Sequence, residues 1–543
     1  MLYYKLAFGV LFLPGTMILY QIIPKRFRWA VLLLASMAFY STFSVKLFIY
    51  PVFAAAVTYG IGLWLEKLDK NRSAAIKAVT GENPDGSPKS KDDIKKEKNG
   101  IKTGYTKKSR AVLLLGVAAL LLVLLYLKYT NFFIENINNI LEAAGSEKQF
   151  DLKDLLLPLG ISFYTMQAIG YMADVYWKKV GAEKNPLKML LFLTFFPTIV
   201  EGPIASYTDI HEKLFAGESL DPDNVVKGYV RLCWGIMKKL VIADRLYPAV
   251  NTLFDMSRDP HGAEIVAAAI LFTVMEYMDF SGCMDMVVGC GTIFGVKLPE
   301  NFKQPFFARN ASEFWRRWHI SLGVWFKTYI FYPVSMSGLA KKWGKFAKDR
   351  VGKHATKMVA SAMALLPVWL CNGLWHGPKW TYIFYGIFYF VVIMIELIFE
   401  PLGDKVLERL KLTRENKAVD IMRILRTWIV IFAGELFFRA ETLTDGFKMF
   451  GAMFRNFSLS ILWNGTALGW GLDKADWIVI LFSLIIVIVI NVIREKGADI
   501  TDSLLKKPMA LRWALTFGLI FIILIFGLYG PGYQEVDLIY AGF

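Results

Sequence analysis

Cysteine is scarce in this chain. Four stand in 543 residues, Cys233, Cys283, Cys290 and Cys371, all in apolar context and none in CxxC spacing. That excludes a disulfide framework and a thiolate zinc site, and leaves them as small buried hydrophobes. Histidine is nearly as rare, with five. His211, His261 and His354 are isolated from other ligand types, so no metal-binding cluster is expected. A GxSxG elbow is missing, which removes a hydrolase-like serine triad. The apolar N-terminus, residues 2–20, lacks a small-residue cleavage site and reads as a retained helix. Alternating apolar and polar runs are also missing, which argues against a transmembrane barrel.

What the chain has is continuous apolar sequence. It is 55% hydrophobic and only 20% charged, and many apolar stretches approach the roughly 20 residues that a spanning helix needs. The expected fold is an all-α polytopic membrane protein with about 11–14 membrane-embedded helices, some broken or re-entrant. The net charge of +16, from 62 Lys+Arg against 46 Asp+Glu, then marks cytoplasmic loops and not a nucleic-acid surface.

Loop charge orders the crossings. Lys25, Arg26 and Arg28 follow the first apolar run, so the N-terminus is expected outside and residues 29–43 and 47–65 make an out-and-back pair. Residues 66–110 carry a turn cluster, Asn83-Pro84-Asp85-Gly86-Ser87-Pro88, and a charged run at 89–98, and read as a flexible cytoplasmic insertion. Residues 155–172 and 187–200 contain Pro158, Gly160, Gly170 and Pro197 and read as broken helices, a backbone tolerated at depth only inside protein or along a cavity. Arg231, Lys238 and Lys239 make 225–243 an interfacial, amphipathic candidate. Alternation of the remaining runs puts the C-terminus outside as well. The organisation expected is 1–65 as N-terminal spans, 66–110 as the insertion, 111–450 as a catalytic core, and 451–543 as C-terminal spans.

Three places carry chemistry. Between the apolar runs 358–370 and 382–398 lies Cys371-Asn372-Gly373-Leu374-Trp375-His376-Gly377-Pro378-Lys379-Trp380. Ionisable groups at membrane depth are costly and therefore functional candidates. An imidazole suits the place because its neutral form is cheap and it titrates near physiological pH. The bland alternative is a structural histidine at a helix break. The second place is Phe314-Trp315-Arg316-Arg317-Trp318-His319, which Asn310 or Ser312 would cap as a helix starting near Glu313. On one helix Trp315, Trp318 and His319 share a face at i, i+3 and i+4. Arg316 and Arg317 point elsewhere, either snorkelling at the interface or attracting an anionic donor. The third is Asp279, in Asp279-Phe280-Ser281-Gly282, which could pair with a nearby Arg or orient a substrate or a histidine.

The motifs Gly373-Leu374-Trp375-His376-Gly377 and Phe314-Trp315-Arg316-Arg317-Trp318-His319-Ile320-Ser321-Leu322 together resemble the membrane-bound O-acyltransferase family, in particular its alginate O-acetylase-like and D-alanyl-lipoteichoic acid acyltransferase branch. Phe196-Pro197, Gly202-Pro203, Asp279-Phe280-Ser281-Gly282, Glu300-Asn301-Phe302 and Phe437-Phe438-Arg439-Ala440 extend the likeness over most of 155–450. The resemblance implies a helical funnel, with His376 as the main catalytic histidine and His319 as the second. Trp315, Arg316, Arg317, Trp318, Trp375, Asp279 and Asn301 are the lining candidates. Lys327-Thr328 stands where the family more often has Arg-Asp, and the C-terminal Tyr540-Ala541-Gly542-Phe543 is less aromatic than in relatives.

The reaction this implies is acyl transfer, most simply acetyl, from a cytoplasmic thioester such as acetyl-CoA or an acyl carrier protein to a hydroxyl of an extracytoplasmic polysaccharide. A separate extracytoplasmic acyltransferase is the implied partner. Rival readings are D-alanyl transfer to teichoic acid, and a transporter of an anionic lipid or glycan precursor with both histidines in a proton relay. The lack of a visible internal repeat weighs against the transporter.

Overall fold

The computed structural model of the chain describes residues 2–83, 87–530, 533 and 536–538. The turn centred on Pro84, Asp85 and Gly86 and the run Tyr540-Ala541-Gly542-Phe543 lie outside the described residues. The chain is 76% helical, without strands among the described residues. Seven helices there are long and apolar enough to cross a membrane. The chain divides into two compact units, one formed by residues 12–200 and 204–219, the other by 2–11, 201–203 and 220–543.

The first unit is built on two long helices, Ile49–Lys77 and Lys91–Ala143. The second corrects the expectation of a flexible insertion. Ser90 caps it, its side chain accepting from the Asp93 N–H at 3.1 Å, and Asp92 and Asp93 sit in its first turn, where the helix dipole favours them. Lysine and glutamate are good helix formers. Once the apolar part at 111–127 is helical, extending it outward through charged sequence costs little. A polar run without an apolar face is therefore a solvated helix end here. The expected broken segments do appear as short helices, Ile161–Tyr176 and Pro186–Thr194. Gly160 turns the chain into the first with φ +69°, and any side chain there would overlap the Ile199 carbonyl. Residues 195–200 are buried and irregular.

The second unit is organised around Ala263–Ile293, with 72% of its most apolar window buried inside the protein. Met509–Phe526, by contrast, buries no residue of its window fully, although Leu519, Ile522 and Ile523 pack against the core. Pro222–Met237 packs on the central helix through glycines seven residues apart. A side chain on Gly228 would strike the Gly289 carbonyl, and one on Gly235 the Gly282 carbonyl. A π-turn, Lys238–Ala243, follows and turns both lysines inward.

This corrects the interfacial reading of 225–243. Lys238 and Lys239 are buried, at 4% and 0% exposure. Lys238 pairs with Asp285 at 2.5 Å, Lys239 pairs with Asp279 at 2.6 Å and with Asp244 at 2.8 Å, and Arg231 reaches Asp285 at 2.9 Å. An amphipathic stripe reads the same whether it faces water or an acidic stripe on a neighbouring helix, and here it faces Asp279 and Asp285. Of the roles open to Asp279, an Arg partner or the orienting of a substrate or a histidine, it takes none directly: its partner is Lys239.

Candidate functional site

His376 ends the helix Lys353–His376 because Gly377 and Pro378 follow, and Trp380–Arg409 begins after Lys379. The two helices form a tight hairpin. A side chain at Gly373 would meet the backbone of Tyr382 and Ile383, and one at Gly386 the Trp369 carbonyl. The backbone that glycine 373 admits is thus the returning helix. Between these helices His376 is 3% exposed. Its ring packs on Trp375, Phe438, Tyr385 and Tyr382 with centroids 5.1, 5.1, 6.0 and 6.2 Å away.

His319 arrives differently from its expected place on a helical face. Of the two cap candidates, Asn310 and Ser312, Asn310 is the cap, its side chain accepting from the Glu313 N–H at 2.7 Å, but the helix Ala311–Arg317 is short. Trp318 is extended, and His319 takes a left-handed conformation, φ +47°, before Ile320–Phe326 starts. A non-glycine residue there is strained by about 1–3 kcal/mol and needs surroundings that hold it. Asn301 supplies the hold. Its backbone carbonyl accepts from the Ile320 N–H at 3.0 Å, its Oδ1 accepts from the Ser321 N–H at 2.8 Å, and its Nδ2 donates to Met284 Sδ at 2.9 Å. Helix periodicity fails at His319 because this clamp ends the helix one turn early.

The result is that both histidines flank one indole. The His319 ring lies 5.3 Å from Trp375 and 4.8 Å from Phe280, and is 2% exposed. Burial pushes the His319 imidazole down to about 3, so it is neutral at physiological pH. A cavity of about 520 Å³ reaches His319. Arg316 and Lys327 supply its charge, Leu365, Val368 and Ile393 its apolar wall, and Asn372, one turn before His376, also lines it.

The other sequence candidates divide. Trp315 and Trp318 both border this cavity. Trp315 also packs on Trp369 and Tyr389, and Trp318 on Phe302 and Tyr277. Arg317 is engaged by Glu313 at 2.9 Å and Glu495 at 2.8 Å, away from the cavity lining. Asp279 is turned to Lys239, although its neighbour Phe280 touches His319.

Four residues escaped the sequence reading. Glu435 and Glu276 are each 1% exposed. The Tyr385 hydroxyl donates to Glu435 Oε1 at 2.7 Å, and the Tyr389 ring packs on that of Tyr385 with centroids 4.8 Å apart. Each glutamate is a lone acid in an apolar run, 265–278 or 428–438, so the criterion that singled out Asp279 applies to both.

Comparison with known proteins agrees with this architecture. The model of the membrane-bound O-acyltransferase family matches residues 181–347. The chain is 30% identical to the protein named "Probable alginate O-acetylase AlgI" of Azotobacter vinelandii, over 82% of this chain and 77% of that one. It is 28% identical to the peptidoglycan O-acetyltransferase of Helicobacter pylori, over 63% of this chain and 64% of that one. To the teichoic acid D-alanyltransferase of Bacillus subtilis it is 29% identical, over 53% of this chain and 70% of that one. With these likenesses and its apolar helices, the chain belongs to the membrane-bound O-acyltransferase family and is a multi-pass membrane O-acyltransferase.

Proposed function

We propose that the protein moves an acetyl group from a cytoplasmic thioester, acetyl-CoA or an acyl carrier protein, toward hydroxyls of an extracytoplasmic polysaccharide. The observation that carries this reading is the pair of buried imidazoles on the Trp375 ring, with a cavity bordered by Arg316 and Lys327 leading to one of them. The cavity takes the thioester arm, and the cationic side chains hold its anionic carrier. His376 is the general base, a role worth typically about 10²–10⁴-fold. It takes the proton of the acceptor hydroxyl, the oxygen attacks the thioester carbonyl, the C–S bond breaks, and the leaving thiolate recovers the proton from the imidazolium. Neutral His319 lines the donor side. The termini lie outside, and a separate extracytoplasmic acyltransferase completes delivery to the glycan.

Two of the relatives above are named for O-acetyl transfer and match more of the chain than the D-alanyl one, which supports acetyl as the group. The test is the base-labile acetate on envelope and secreted glycans of cells carrying wild type or H376A at equal membrane level. Loss of acetate in H376A is expected. Retained acetate removes His376 from the mechanism, loss of D-alanine with acetate unchanged moves the protein to teichoic acid, and no change in either favours the transporter.

A further inference from the structure

One face of the helix Lys353–His376 makes a wall of the cavity that reaches His319. Ser361, Leu365, Val368 and Asn372 border it, at steps of four, three and four residues, which is the spacing of a single helix face. The next step of four along that stripe is His376, the last residue of the helix. From Ser361 to Asn372 the stripe is about 16 Å long at about 1.5 Å per residue, so this wall suits an extended chain lying along it. Leu365 and Val368 show what the wall needs for packing alone. Asn372 departs from that pattern at the step before His376. It is 7% exposed, and its Oδ1 has no hydrogen-bond partner among the described residues. A buried amide oxygen without a donor is costly, so one in a cavity wall points to a donor on the ligand.

The arms of coenzyme A and of acyl carrier proteins end alike: an amide N–H, two methylenes, the sulfur and the acyl carbonyl. Four bonds separate that nitrogen from the acyl carbon, about 5 Å when extended. Side chains four residues apart on a helix have Cβ atoms about 5–6 Å apart. An arm whose N–H lies at Asn372 therefore brings its acyl carbon level with His376.

We propose that Asn372 Oδ1 accepts the amide N–H nearest the sulfur of the donor arm, and that this bond sets the depth at which the thioester carbonyl stops, beside His376. The group read here is a cysteamine thioester, which coenzyme A and carrier proteins share. The inference rests on the reading above, in which the cavity takes the thioester arm and His376 is the general base. Asn372 touches the donor away from the reacting atoms and so determines specificity and position. The proton and the acyl group move as described for His376.

The test compares two small donors in permeabilised cells, each with a labelled acetyl group on sulfur. One is the thioester of N-acetylcysteamine; the other is the same molecule with an ester oxygen in place of the N–H. Base-labile acetate on the glycans is the readout, per unit of membrane-inserted protein. Wild type is expected to use the amide donor about tenfold better in apparent kcat/KM, the contribution of one buried hydrogen bond. In N372A the ratio falls to near one. N372D keeps an acceptor oxygen of the same reach and retains the preference. The ratio is taken within one protein, so a variant that inserts poorly lowers both rates and leaves the ratio unmoved, as does an asparagine with only a structural role. Equal use of the two donors by wild type, an undiminished ratio in N372A, or its loss in N372D overturns the proposal. If H376A retains transfer from the amide donor, the general-base reading itself has failed; if H376A is inactive and N372A keeps the wild-type ratio, only the role of Asn372 has.

Discussion

The placement of His319 depends on one amide, and Asn301→Ala tests this. Asn301 is 1% exposed, and its Oδ1 is the acceptor for the Ser321 N–H at 2.8 Å. Alanine leaves that buried donor without its bond, a loss of about 1–3 kcal/mol. The bond helps to hold His319 at φ +47°, a conformation that itself stores about 1–3 kcal/mol. Relaxation of residues 318–321 toward ordinary backbone would release the strain and carry the imidazole away from Trp375 and Phe280. Since about 1.4 kcal/mol is a factor of ten, transfer is expected to fall roughly ten- to a hundredfold. The protein should still insert, because the Asn301 carbonyl keeps its bond from Ile320. The assay is base-labile acyl ester per unit of membrane-inserted protein, with thermal unfolding in detergent as the control for folding. Wild-type ester formation by N301A would refute the argument that this amide sets the histidine.

Three further outcomes follow from the same geometry. K239M strands Asp279 and Asp244, its partners at 2.6 and 2.8 Å, and should cost about 3–5 kcal/mol, seen as a lower unfolding temperature that K239M/D279N partly restores. G386V forces a side chain against the Trp369 carbonyl; overpacking of about 1–3 kcal/mol or more opens the hairpin below His376, and transfer should drop further than the unfolding temperature suggests. His319 is held neutral to about pH 3, against an ordinary value of 6.5, so the unfolded chain binds the extra proton between those values. Stability should therefore decline as pH falls from about 6.5 toward 3, and H319Q should flatten that part of the unfolding-temperature profile; an unchanged profile would show that the ring is not dry.

Much of the site was legible because membranes make charge conspicuous. His376, at the end of an apolar run, is visible without any structure, and Gly377-Pro378 foretells the helix end that presents it. A cap at Asn310 or Ser312 was legible too, and the structure uses Asn310. Arg317 shows the opposite limit: its sequence suits an anion site, but Glu495, 178 residues away, occupies it. Glu276 and Glu435 were as visible as Asp279, but that Tyr385 donates to Glu435 only the structure shows.

Sequence alone determined the solvent each segment prefers, hence an all-helical membrane protein, and the identity of its two buried imidazoles. These follow from local free energies of transfer and from residue types that break helices. Tertiary structure decided which charges are silenced, as Lys238 and Lys239 are by Asp285 and Asp279. It also decided where the helix before His319 stops, and that both histidines share Trp375. Those outcomes depend on contacts between residues far apart in the chain. A periodic pattern gives the direction of a side chain around its own helix, but not what stands opposite.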